Sequence, residues 1–137
     1  MERNMDIVRD ILLLTETLGS DGQHPQNIPY KSSWLEGVSE VEFYYHVKIL
    51  VEAGYLEANR IDRDFDFDTN KVGPEKYYPT TLTWQGHEFL DSIRDNGNWS
   101  KVKKSLGKQF ISTSFAVIAT VAGELAKEAA LSKLGLK

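Results

Sequence analysis

The chain has 137 residues, a net charge of −4 and no cysteine. This length suits one domain with an appended element, and a hydrophobic fraction of 41% is ordinary for a soluble globular protein. Without cysteine there are no disulfides, thiolate zinc sites or cysteine nucleophiles, and the charged N-terminus has no signal core, so we expect a cytoplasmic protein.

The charge is unevenly spread along the chain. Residues 1–99 hold 9 Lys/Arg and 18 Asp/Glu, which gives −9, whereas residues 100–137 hold 7 and 2, which gives +5. An acidic body with a basic tail is not the profile of a protein that grips DNA over its whole face. It allows a local basic patch, or a tail that docks on the body or on an acidic partner.

The first predicted helix runs from about Asn4 to Leu18. Asn4 is a suitable N-cap, apolar residues recur at helical spacing, and Gly19 ends the helix. Residues Ser20–Pro29 are predicted to form a polar loop, and Ile28–Leu35 a short strand.

The second predicted helix covers Ser39–Ala53 and stops at Gly54. Its first residues, Ser39 to Glu42, have the form of a capping box. Apolar side chains share one face, and the residues expected to point outward are Glu40, Glu42, Tyr45, Lys48, Ile49 and Glu52.

A β-hairpin should follow, with strands at about Tyr55–Ile61 and Tyr77–Leu82 around a charged tip. Pro79 lies inside the second strand and lacks an N–H, which indicates an edge position or a bulge. Phe65 and Phe67 should face one side of the tip and the intervening aspartates the other.

Helices complete the chain. Thr83 or Thr81 can cap a helix at Trp84–Arg94, and residues 95–98 are predicted to form a break. A short basic helix at Trp99–Leu106 then precedes a last helix at Thr113–Leu134. The segment Phe110–Gly123 is too short and too polar to span a membrane, so we expect no membrane association. The order helix, strand, helix, hairpin, helix predicts an α+β winged-helix domain over residues 1–95, with a basic helical C-terminal extension over residues 96–137.

Two segments resemble the winged-helix repressors of bacteria. VEFYYHVKILVEAGYL at Val41–Leu56 is similar to their recognition-helix region, and LTWQGHEFL at Leu82–Leu90 is similar to the entry of their last helix. The repressors place a separate helix before the recognition helix, whereas residues 20–38 here show no helical period. This departure puts DNA reading in doubt.

With four further segments the resemblance extends to a family of short phage and prophage proteins grouped as a domain of unknown function. Those segments are RNMDIVR at Arg3–Arg9, FLDSIRD at Phe89–Asp95, WSKVKK at Trp99–Lys104 and LGL at Leu134–Leu136. The resemblance implies a winged-helix fold and a phage or mobile-element origin, but no activity.

Two classes of partner are compatible with these residues. Double-stranded DNA would be contacted by Tyr45 and Lys48 and by the basic run Lys101, Lys103, Lys104 and Lys108. However, a helix that reads the major groove needs basic or amide side chains, and the outward face of Ser39–Ala53 is mainly acidic.

A host or phage protein is the alternative partner, bound by Glu42, Tyr45, Ile49 and the acidic hairpin. The last helix has too broad an apolar surface to stand alone, so it should pack on its own body or on a second copy, and we expect a homodimer. The predicted interface residues of that helix are Phe115, Ile118, Val121 and Leu125.

Catalysis, cofactors and metals are not predicted. The aspartates at 62, 64, 66 and 68 have a calcium-loop spacing, but no frame places both the turning glycine and the bidentate glutamate. His46 and His87 are expected to pack or hydrogen-bond near the core, and His24 has no histidine at ligand spacing. We therefore expect a non-enzymatic DNA-binding transcriptional regulator or, alternatively, a protein-binding accessory factor.

Overall fold

The computed structural model describes residues 1–18, 34–110 and 113–135, and over this part of the chain it is a mixed α+β structure. Its elements in chain order are α1 (Met5–Leu18), α2 (Glu40–Glu52), β1 (Leu56–Ile61), β2 (Phe65–Asp66), β3 (Lys71–Val72), β4 (Lys76–Leu82), α3 (Trp84–Ile93), α4 (Asn96–Leu106), a 3-10 turn (Gly107–Phe110) and α5 (Phe115–Lys133). Most of the predicted strand Ile28–Leu35 lies outside the described residues.

The helix starts follow the predicted caps. The Asn4 side chain accepts the backbone N–H of Asp6 at 2.9 Å. Ser39 and Glu42 form the capping box in both directions, at 3.1 and 3.3 Å. Thr83 caps α3 by accepting the N–H of Gly86 at 3.1 Å. These side chains satisfy first-turn N–H groups that have no partner within the helix.

Strands β1 and β4 pair antiparallel, from Leu56 opposite Leu82 to Ile61 opposite Lys76. The register shifts between Glu57 and Ala58, and Ala58 then stands opposite Pro79. This irregularity confirms the prediction made from Pro79, since a residue without an N–H is tolerated at a bulge. The short pair β2–β3 forms a second hairpin beyond the first.

One hydrophobic core joins α1, α2, β4 and α3. Val8, Ile11 and Leu12 of α1 are fully buried, as are Val47 and Leu50 of α2. Rings from α2 and β4 also meet: Tyr44 lies edge-on to its neighbour Phe43 and, at 6.0 Å between centroids, to Tyr78. Across the described residues, no helix is both long and apolar enough to cross a lipid bilayer.

The C-terminal helices extend this core. Trp99 and Val102 of α4 and Ile118 and Ala122 of α5 are buried, because α5 packs against α3 and α4. The boundary predicted between residues 95 and 96 stays a prediction, but the core crosses it. These helices are therefore not a detached arm.

The predicted break between α3 and α4 is present but shorter than residues 95–98: it covers Arg94 and Asp95, and α4 begins at Asn96. Asp95 caps the helix by accepting the N–H of Asn98 at 2.8 Å. Asn and Gly are poor helix formers in a helix interior. In the first turn their low helix propensity matters less, because the N–H groups there have no partner within the helix and the cap supplies one. Asn98 is itself buried and donates to the backbone carbonyls of Ser92 and Ala122.

Candidate functional site

The side of α2 that faces away from the core carries the predicted contact residues. We call it the outer face of α2; it comprises Val41, Glu42, Tyr45, Lys48, Ile49 and Glu52. Val41 and Lys48 are exposed, while Tyr45 and Ile49 are half-buried. Because α2 packs on α1, β1 and β4 through its other face, this strip lies at the surface. The predicted grouping of Tyr45, Lys48 and Ile49 is therefore present.

A shallow groove separates α2 from the hairpin. Its lining residues are Val41, Tyr44, Tyr45, Lys48, Arg63, Pro74, Glu75 and Tyr77. Hydrogen bonds from Tyr77 and from Arg60 hold the pKa of the Glu75 carboxyl below its usual value, and Lys48 adds to the effect. Glu75 is therefore an anion in this groove, which offsets the cations Lys48 and Arg63.

The far end of the hairpin, residues 62–75, is acidic and apolar together; we call it the hairpin tip. Its four aspartates, at 62, 64, 66 and 68, are all exposed. Phe65 and Phe67 meet edge to face, with ring centroids 4.8 Å apart, and Phe67 is 88% exposed. The predicted alternation explains why the two rings meet, but not why neither is covered.

His46 is buried and holds α1 to α2. Its Nδ1 lies 2.7 Å from the carbonyl oxygen of Glu42, and its Nε2 accepts the backbone N–H of Asn4 at 2.8 Å. This pair of contacts requires the neutral ring with its proton on Nδ1. Burial lowers the pKa of His46, and the contact with Glu42 offsets this only in part. His46 is structural, whereas the core placement predicted for His87 is wrong because His87 is exposed.

The lysines of the basic run have different surroundings. Lys103 Nζ lies 3.0 Å from Asp6 Oδ1, which also accepts the indole N–H of Trp99 at 2.8 Å. Burial raises the pKa of Asp6, but hydrogen bonds from Trp99 and Lys103 outweigh it, so the pKa is lowered overall. Lys101, Lys104 and Lys108 remain exposed, and they are the part of the run that faces solvent.

The four predicted interface residues of α5 have different surroundings. Ile118 is fully buried within the chain itself, so its assignment to an interface is wrong. Phe115, Val121 and Leu125 are half-buried, and Phe115 packs edge-on to Tyr55 with 5.7 Å between centroids. The apolar stripe thus serves mainly to dock α5 on its own body.

Arg3 is a residue that the sequence interpretation missed. Its guanidinium lies 4.7 Å from the ring centroid of Phe115 and donates to the carbonyl oxygen of Thr113. Burial lowers the pKa of Arg3. The contact joins the start of the chain to the start of α5. No periodic pattern could have revealed it, since the two segments are 110 residues apart.

The described residues contain no group of three or more His, Asp or Glu side chains that could hold a metal ion. The aspartates of the hairpin tip are instead dispersed around its turn. Asp66 Oδ1 accepts the backbone N–H of Asp68 at 2.9 Å and of Thr69 at 3.4 Å. This carboxylate therefore closes the turn.

Comparison with known proteins places the chain in a family. It belongs to the family described as hypothetical protein DUF2513, whose model matches residues 2–112. It is also 30% identical over 122 residues to an uncharacterized protein of Haemophilus influenzae, covering 89% of this chain and 92% of the relative. No solved structure matches the chain.

Proposed function

We propose that this protein is a non-enzymatic accessory factor with a winged-helix fold that binds another protein. The element order supports the fold: α1, α2, the β1–β4 hairpin and α3 follow the winged-helix sequence, and α2 packs against both strands. In that fold α2 takes the position of the recognition helix, and the hairpin takes that of the wing.

The observation that carries the proposal is the charge of this combined surface. The outer face of α2, with Glu40 at its start, has three glutamates against Lys48, and the hairpin tip has four aspartates against Arg63 and Lys71. Helix and wing would both meet phosphates in DNA docking, so both would be repelled. A protein partner with basic groups would be attracted by the same charges.

Apolar side chains on the same surface favour a protein partner. Val41 and Ile49 accompany Tyr45 on the outer face of α2, and tyrosine is enriched among residues that dominate binding energy. The resemblance to phage and prophage proteins suggests a host or phage protein in this role. An apolar centre within a charged rim is the common anatomy of such interfaces.

DNA binding as a transcriptional regulator is the second candidate. Lys101, Lys104 and Lys108 are exposed, and among the described residues none of them forms an ion pair, whereas Lys103 pairs with Asp6. Such a patch would contact phosphates without reading bases, with Tyr45 and Lys48 left to read the groove. A homodimer would double the patch.

The test compares three tagged full-length chains: wild type, a double variant Tyr45→Ala/Ile49→Ser, and Glu124→Ala on the exposed side of α5 as the matched control. Each tagged chain is used to pull down proteins from a bacterial lysate. We expect wild type and Glu124→Ala to capture one bacterial protein that the double variant does not capture. The double variant should still unfold cooperatively, which shows that it is folded. A salt titration with random-sequence duplex DNA runs alongside. Binding that persists at physiological salt and weakens on Lys48→Ala would overturn the proposal and favour DNA.

A further inference from the structure

The hairpin tip exposes three apolar side chains to solvent. Phe67 is 88% exposed, Phe65 46% and Val72 58%, and Val72 stands opposite Phe65 across the β2–β3 pair. The rings pack against each other, and neither belongs to the hydrophobic core of the described residues. Contiguous apolar groups in a polar rim mark interaction sites on soluble proteins.

The backbone beneath these rings is fixed by hydrogen bonds. Gly73 donates its N–H to the carbonyl oxygen of Asp64 at 2.6 Å, which closes the base of the tip. Asp66 caps the turn, and Asn70 has a φ of +56°, a left-handed conformation that asparagine tolerates. The tip therefore presents its rings in a set geometry, which reduces the ordering cost of binding.

The charge around the rings selects the partner. Asp64 and Asp68 line one concave surface together with the two rings, and Asp62 precedes them in the chain. Over the described residues, Asp62 is the member of this group that forms an ion pair, with Arg60 at 3.2 Å. A lipid surface or a nucleic acid would bring its own negative charge against this rim. Only a basic surface gains from it, and only one with an apolar pocket can cover the two rings.

We propose that the hairpin tip docks into an apolar pocket on a basic surface of another protein, with Phe65 and Phe67 inserted and the aspartates on surrounding Lys or Arg. This rests on the proposed function, since it assigns the partner's chemistry to one end of the same surface. The aspartates attract the partner and fix its orientation, and burial of the two rings supplies most of the affinity.

The first experiment uses synthetic peptide probes and the full-length protein. A fluorescent helical peptide of lysine and leucine should bind, a lysine and alanine peptide of equal charge should bind at least tenfold more weakly, and a glutamate and leucine peptide should not bind. The double variant Phe65→Ser/Phe67→Ser should lose at least tenfold in affinity. Trp84→Ser, which removes another exposed ring, 76% exposed, should not.

Charge is tested separately on the same probe. The triple variant Asp62→Asn/Asp64→Asn/Asp68→Asn keeps Asp66, which the turn needs, and should weaken binding and flatten its salt dependence. Equal binding of both lysine peptides, or equal losses from Trp84→Ser and from the phenylalanine variant, would overturn the proposal.

The last arm separates this inference from the function on which it rests. If the captured partner is lost on Tyr45→Ala/Ile49→Ser but kept on Phe65→Ser/Phe67→Ser, the tip inference fails and the proposed function stands. Sedimentation of the chain alone identifies the other occupant. Self-association that rises with concentration and disappears in the phenylalanine variant would show that the basic segment of a second copy occupies the tip. That result would overturn the proposal that the partner is a different protein.

Discussion

Gly86 lies directly beneath the backbone carbonyl of Tyr55, so close that a Cβ at position 86 would overlap the carbonyl oxygen and stand 2.9 Å from its carbon. The same oxygen accepts the N–H of Thr83 at 3.1 Å, and the Thr83 hydroxyl donates to the Gly54 carbonyl at 2.6 Å. The first turn of α3 is thus joined to the chain between α2 and β1 by backbone contact, which fixes the helix relative to the hairpin.

Replacing this glycine should therefore destabilise the fold. We expect Gly86→Ala to lower the free energy of unfolding by roughly 1–3 kcal/mol, because backbone atoms rather than a flexible side chain must move. Urea denaturation measures it. Gly123→Ala is the matched control: Gly123 is in α5 with open space around it, so the added methyl should stabilise by about 0.5–1 kcal/mol. Similar effects of the two changes would contradict the close approach.

His46 should make stability depend on pH. Burial lowers the pKa of His46 in the folded protein, whereas a histidine in the unfolded chain titrates near about 6.5. Below that value the unfolded chain binds the proton first, so the free energy of unfolding falls as the pH drops from about 6.5 towards the folded pKa. Above about pH 6.5 the ring is neutral in both the folded and the unfolded chain, so its contribution to the free energy of unfolding no longer changes with pH. Protonation would also place a hydrogen on Nε2 of His46, so that two N–H donors, this one and the backbone N–H of Asn4, would face each other.

Urea midpoints of wild type and His46→Asn, compared across this pH range, isolate the effect. The stability advantage of wild type should shrink on acidification. His87→Asn removes an exposed histidine and should track wild type at every pH. An advantage of wild type over His46→Asn that stays constant below pH 6 would refute the neutral-ring assignment.

Trp99 should be among the most costly residues to truncate, although the sequence places it after an apparent break. It is 4% exposed, packs edge-on to Phe110 and donates its indole N–H to Asp6. We expect Trp99→Ala to cost roughly 3–5 kcal/mol. Lys104→Ala on the exposed side of α4 should leave stability within about 0.5 kcal/mol. If the C-terminal helices were a separate arm, Trp99→Ala would instead leave the main unfolding transition in place.

Local signals predicted most of the secondary structure. Asn4 and Ser39 each satisfy first-turn N–H groups, so the starts of two helices could be predicted from single residues. For α3 the sequence offered Thr81 or Thr83, and Thr83 is the cap. Pro79 indicated the irregular register because its missing N–H acts at the residue itself. In both cases the deciding interaction lies within a few positions along the chain.

Features that depend on distant contacts could not be predicted in this way. Asn98 looked like a break, yet its amide is buried against α5, and Ile118 looked like an interface residue, yet its own chain covers it. His87 is exposed although His46, in a similar segment, is buried. At the hairpin tip the alternation predicted that Phe65 and Phe67 share a side, but whether that side is covered depends on the tertiary fold.

The exposed lysines of α4 and the following turn set how much DNA affinity this chain can have. If Lys101, Lys104 and Lys108 each neutralise one phosphate, the logarithm of the binding constant should fall against that of the salt concentration with a slope of about −2.7. Each change to alanine should reduce the slope by about 1. Lys103→Ala is the control, because its ammonium is already held by Asp6 at 3.0 Å. The expected affinity is weak, independent of sequence and lost near physiological salt, because the acidic outer face of α2 adds no favourable phosphate contact. A steeper slope that also depends on Lys48 would mean that α2 does meet the DNA, against the charge of its surface.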